Sequence, residues 1–195
     1  CKVINFLMAP LNALGMAMIS FHSQNLGARN LDRIKKGFKA SFLIGFVIYL
    51  IVMTIGLLLT INGAYQYFFL SQDKITAASI RYGNTYIYIA MPCFFFLMVL
   101  FLLRNTLQGL EKTIPNFLSG VGELVARVLI CYFLPYMLNG FTPTNSVSST
   151  LAYAGACLGD PLAWIASCLV MIYPCLKAIY SKKNAVFLLE NRTNK

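Results

Sequence analysis

"ASFLIGFVIYLIVMTIGLLLTI", residues 40–61, runs for twenty-two residues without an Asp, Glu, Lys or Arg. About 20 consecutive apolar residues are needed for a helix to cross the hydrocarbon of a bilayer. Residues 82–103 repeat the pattern and end in "CFFFLMVLFLL", residues 93–103. Three further stretches have the required length: 3–21, 114–138 (interrupted by Glu123 and Arg127) and 151–176 (interrupted by Asp160). The chain is 58% hydrophobic and only 11% charged, with a mean hydropathy of +0.69. A soluble domain is nearer one-quarter charged. These features predict an all-α polytopic membrane protein, with a five-helix bundle over 1–180 and a tail over 181–195.

The charges sort by topology. "FHSQNLGARNLDRIKKG", residues 21–37, follows a run without charge and opens a basic cluster that continues to Lys39. Five spans divide the remaining loops into two sets. Twelve Lys and Arg fall on one side: Arg29, Arg33, Lys35, Lys36, Lys39, Arg104, Lys112, Lys177, Lys182, Lys183, Arg192 and Lys195. Three fall on the other, Lys2, Lys74 and Arg81. The bias places the basic loops and the C-terminus in the cytoplasm of a plasma-membrane, multi-pass protein. The net charge of +10 therefore reads as topology. Nucleic acid is excluded as a partner, because a basic groove needs water-facing surface.

The connectors fit. Ser71 is a candidate cap for a helix entering the third span, residues 139–150 have the composition of a polar loop, and "AVFLL" in the tail suits a membrane surface. The six cysteines lack CxxC spacing and read as packing residues. With His22 the sole histidine, no metal site is expected. The chain opens at Cys1 and is expected to be part of a longer protein. No internal repeat is evident.

Charges inside the spans carry the chemistry. Glu123 lies near mid-membrane, and Arg127 follows one turn later on the same helix face. A lone charge there costs about 2.5–3.5 kcal/mol or more, so the two are expected to pair and to face the bundle, fixing helix packing or lining a translocation path. Asp160 precedes Pro161 and is expected either to cap the helix that starts there or to face an outer vestibule. His22 is expected to be interfacial. Gln24 and Asn25 are expected to bind backbone groups at the helix end, with Gly27 as a left-handed cap, or else to contact a cation or substrate. Tyr86 belongs to an aromatic-rich span that suits lipid, or a pocket for organic cations. Pro10, Pro92, Pro135, Pro161 and Pro174 fall in or near span interiors, where they bend helices. Gly155 and Gly159 form one GxxxG, permitting close helix approach.

Four elements occur in order: Gln24, Asn25, Gly27 and Ala28 after a span; Leu107, Gln108, Gly109 and Pro115 after another; Glu123 and Arg127 within the next; Pro161, Ala163 and Trp164 within the last. This set resembles the C-terminal half of the multidrug and toxic compound extrusion (MATE) transporters. The resemblance implies that the spans are family helices eight to twelve and that helices one to seven, the N-terminal lobe, precede them. Gln108 stands where the family often has Arg, and a usual second Gly is replaced after Gly109. The tenth-helix acid of the family's sodium-coupled branch is missing, since residues 93–99 are apolar.

The resemblance implies a secondary active antiporter exporting drug-like or cationic small molecules, a multidrug and xenobiotic efflux function, in exchange for Na⁺ or H⁺. No other cofactor is expected, and no catalytic residue. The expected partners are membrane lipid, the small-molecule substrate and the N-terminal lobe. The alternatives are a lipid-linked precursor or polysaccharide flippase of the same superfamily and, from another class, a membrane-embedded enzyme or an assembly subunit. An enzyme would need positioned His, Asp or Ser groups, which one His and scattered acids supply poorly.

Overall fold

A computed structural model describes residues 2–69, 75–138 and 150–180. Among these residues seven α-helices follow in order: α1 Lys2–Gly27, α2 Leu31–Leu59, α3 Ala64–Phe69, α4 Ala77–Gly109, α5 Thr113–Leu138, α6 Thr150–Cys157 and α7 Gly159–Tyr180, with a 3₁₀ turn at Ile61–Gly63 between α2 and α3. No strand occurs among the described residues. Five segments are long and apolar enough to cross a membrane: Ile4–Gly27, Leu31–Leu59, Ala77–Gly109, Thr113–Leu138 and Ala152–Tyr180. The last joins α6 and α7 through a one-residue break at Leu158, ahead of Pro161, whose ring nitrogen cannot donate.

The helices outrun the expected spans. The basic residues from Arg33 to Lys39 lie in the first turns of α2, not in a loop. Asn30 caps α2 by accepting from Arg33 N at 3.1 Å, and Asp32 in the first turn suits the positive end of the helix dipole. Asn62 (φ 52°) and Gly63 (φ 66°) then stop it, since a left-handed pair cannot continue the coil. The cap of α4 is Thr76: its hydroxyl accepts from Ser79 N at 3.1 Å while Ser79 Oγ accepts from Thr76 N at 3.0 Å. Ser71, most of the 139–150 loop and the 181–195 tail lie outside the described residues.

The α1–α2 and α4–α5 connections have three residues each and close in the same way. At the first, Asn30 N donates to Asn25 O and Arg29 N to Leu26 O, both at 2.9 Å, with Arg29 at φ 55°. At the second, Lys112 N donates to Leu107 O at 2.8 Å and Glu111 N to Gln108 O at 3.1 Å, with Glu111 at φ 59°. Both are Schellman closures whose left-handed position carries a side chain where glycine is usual. The expected left-handed cap at Gly27 is thus corrected: Gly27 is the last helical residue, and the turn falls two residues later, at Arg29.

α4 is the central helix. Half of its most apolar stretch is buried, against 6% for α5. It carries Met91, Phe94, Met98 and Leu107 into a core shared with Leu7, Leu11 and Met18 of α1, Val52 of α2 and Trp164 and Met171 of α7. Phe94 and Trp164 meet edge to face at 5.9 Å. Gly109 explains how the end of α4 reaches α1. A Cβ there would lie 2.9 Å from both the Ile19 carbonyl oxygen and His22 Cβ. His22 is accordingly fully buried, not interfacial, and its Nδ1–H donates to Met18 O at 2.7 Å. Gly155 lets α6 approach the backbone of α5 near Leu134 and Pro135.

Two stability changes of opposite sign follow. Gly109→Val forces apart a backbone contact and is expected to cost about 2 kcal/mol. Glu111→Gly relieves a left-handed side chain and is expected to add up to about 1 kcal/mol. Thermal unfolding of the purified chain in one detergent checks both; a stabilised Gly109→Val would refute the close-contact account.

Candidate functional site

α5 presents Asn116, Ser119, Glu123 and Arg127 at steps of three and four residues, which is one helix face. α4 presents Tyr86 and Arg104 eighteen residues apart, five whole turns, so these two also share a face. α7 contributes Asp160 from its first turn. These three faces meet inside the bundle.

The result is a continuous polar chain. Arg104 donates from an Nη to Glu123 Oε2 at 2.7 Å and to Ser119 Oγ at 3.2 Å. Arg127 donates to the other Glu123 oxygen, Oε1, at 2.7 Å. Its Nε lies 2.8 Å from Asp160 Oδ1, an ion contact off the line of a good hydrogen bond. Tyr86 donates its hydroxyl to Asp160 Oδ2 at 3.0 Å. Ser119 is fully buried, and its carbonyl accepts from Ser167 on α7 at 3.3 Å.

Two arginines and two carboxylates make the chain electroneutral, as an apolar medium requires. Their surroundings differ. The Glu123 side chain is 13% exposed and holds two guanidinium groups, whereas Asp160 is 33% exposed with one arginine and one tyrosine. Glu123 is the hub and Asp160 the more replaceable end. Along α4 the chain extends from Tyr86 to Arg104, roughly 27 Å at 1.5 Å per residue, close to the ~30 Å of a hydrocarbon core.

The structure therefore brings together Glu123, Arg127, Asp160 and Tyr86. Two expectations change. Arg104, grouped with the turn residues, lies within α4 and is a full member of the chain. Asp160 does not act as a side-chain cap; its carboxylate is taken by Arg127 and Tyr86. The signal for Arg104 and Ser119 was the helical register: Ser119 sits one turn before Glu123, and Arg104 shares the face of Tyr86.

The other motif residues lie elsewhere. Asn25 Nδ2 donates to Phe21 O at 2.7 Å and Gln24 Nε2 to Ser20 Oγ at 3.4 Å, both within α1. Gln108 is exposed, while Gly109, Pro161 and Trp164 are buried packing positions. Among the described residues, no three His, Cys, Asp or Glu side chains converge to hold a metal ion.

Removing one member should cost according to its bonds. Glu123→Gln strands two arginines and is expected to cost about 3 kcal/mol. Tyr86→Phe removes one hydrogen bond and is expected to cost about 1 kcal/mol, with Asp160→Asn between them. Denaturant unfolding of the three variants tests the order. A Tyr86→Phe loss larger than that of Glu123→Gln would contradict the hub assignment.

The MatE family model matches residues 1–133, which include α1, α2, α4 and the first five turns of α5 with Glu123 and Arg127. Searches of curated proteins and of solved structures found no match. The family match covers more than half of the chain and agrees with the five described segments that are long and apolar enough to cross a membrane. The chain belongs to the MatE family of multi-pass membrane transporters.

Proposed function

We propose that the chain forms helices eight to twelve, the C-terminal lobe, of a secondary active exporter. It moves drug-like or cationic organic compounds outward in exchange for Na⁺ or H⁺, in a plasma membrane, with its C-terminus in the cytoplasm. The supporting observation is the polar chain from Arg104 to Tyr86, which links α4, α5 and α7 over most of a bilayer's thickness. Charged groups at such depth are costly and belong to pathways or relays.

Asp160 is the exchange point in this reading. A proton on its carboxylate, or a cation beside it, competes with Arg127 and loosens α7 from α5. Glu123 keeps both arginines in place meanwhile. The two states differ in the contacts of one carboxylate, which is the differential interaction that any coupled transition requires. In this reading, helices one to seven of the family arrangement would complete the central cavity.

The second reading is a flippase for lipid-linked precursors. Arg104 favours it, since a second arginine now lies within the bundle. Against it, Arg104 and Arg127 are both charge-compensated by carboxylates, so neither brings an uncompensated charge to a pyrophosphate.

Ethidium efflux by the full-length protein, driven by an imposed Na⁺ or H⁺ gradient, tests the exporter. Gradient-dependent efflux is expected, with Asp160→Asn at least about tenfold slower, the effect of losing one positioned charge. Wild-type efflux rates in Asp160→Asn would remove Asp160 from the mechanism. No gradient-dependent efflux, together with translocation of a lipid-linked oligosaccharide, would establish the flippase instead. Cysteines placed at Lys36 and Arg81 report orientation: a membrane-impermeant thiol reagent added outside intact cells should label the second and spare the first.

A further inference from the structure

The tip of the α4–α5 hairpin holds a cleft of about 400 Å³ lined by Arg104, Gln108, Thr113, Asn116, Phe117 and Gly120. The transport reading shares only Arg104 with it. Its polar groups come from both helices: a guanidinium, two carboxamides and a hydroxyl within two turns of each other. Hydrogen-bonding capacity remains unspent here. Arg104 uses one Nη for Glu123 and Ser119, while its buried Nε–H has no hydrogen-bond acceptor among the described residues. Buried polar atoms left unpaired are unfavourable and call for a partner.

Two features define that partner. The cleft opens at the bundle end that carries the basic first turns of α2, Lys112 and Lys177. Contact between Gly109 and α1, and between Lys35 and the Tyr180 ring, brings these elements to one end. The cleft's outer rim is apolar: Ile114 is 73% exposed and Phe117 is 71% exposed. A donor-rich cleft beneath apolar side chains, at the basic end of a membrane bundle, fits a phosphate group carrying acyl chains.

We propose that this cleft is a binding site for the phosphate of an anionic phospholipid. The phosphate oxygens accept from the Arg104 guanidinium, the Asn116 Nδ2–H and the Thr113 hydroxyl, and the acyl chains lie along Ile114 and Phe117. Arg104 then connects the headgroup to Glu123, so lipid binding at the surface stiffens the polar chain within. The site is independent of which compound is exported.

Gly120 makes the test clean, because a side chain built there meets nothing within 4 Å. Gly120→Leu should fill the cleft without disturbing the fold, and Asn116→Ala should remove a partner. Native mass spectrometry of the purified full chain, with dioleoyl phosphatidylglycerol or dioleoyl phosphatidylcholine added, counts retained lipid. One phosphatidylglycerol per chain is expected, with phosphatidylcholine displaced readily. Both variants should bind phosphatidylglycerol about tenfold more weakly, one charge-assisted hydrogen bond or its equivalent, with unchanged melting temperature in lipid-free detergent. Inorganic phosphate forms the third arm. Competition by millimolar phosphate would support the anion site but assign it to a soluble ligand. Equal retention of the two lipids, or undiminished phosphatidylglycerol binding by both variants, would overturn the proposal.

Discussion

A carboxylate held between two arginines in an apolar bundle, Glu123 with Arg104 and Arg127, is the contact on which the arrangement of the last three spans depends. Water is scarce at that depth, so each ion must find its counter-ion in protein. Arg104 fixes α4 against α5, and Arg127 fixes α5 against α7 through Asp160. α5 buries little side-chain surface, and its outward face of Leu124, Val128 and Tyr132 is exposed. The register of α5 against α4 and α7 is therefore set in good part by four charged groups, while α4 and α7 also interlock through Phe94, Trp164 and Met171.

At the other side of α4 the constraint is steric. Gly109 admits the backbone of α1 and buries His22. α1, α2 and α4 thus pack through apolar surfaces and a close glycine contact, α7 meets α4 mainly through apolar side chains, and α5 is joined to α4 and α7 through ions. Of these contacts, only the ionic ones change partners in the proposed transport cycle.

Much of this was legible in the sequence. Charge-free runs such as 40–61 mark spans because length and apolarity are the physical requirement. Glu123 and Arg127 declared themselves by their cost in such a run. Arg104 was not legible by that logic, since a basic residue near a helix end ordinarily serves topology; only the extent of α4 to Gly109 places it inside. The left-handed residues were misplaced for a related reason. Glycine is the usual bearer of positive φ, but here Gly27 serves the helix and Arg29 takes the turn, because the Schellman bonds fix the turn's position from Asn25 and Leu26. The buried state of His22 depends on a contact between α1 and the end of α4, distant in sequence, and no local pattern encodes it.

The two three-residue turns bear on how the protein enters the membrane. Each closes with its own backbone bonds, so each helical hairpin can form as a local unit before the bundle assembles. Within the α4–α5 hairpin, Arg104 and Glu123 already compensate each other, and only Arg127 remains in excess. That hairpin can therefore partition into the bilayer with one uncompensated charge instead of three separate ions. The remaining charge is discharged only when the last span brings Asp160. Synthesis order thus becomes an electrostatic order, in which the final helix supplies the counter-ion that locks the preceding pair in place.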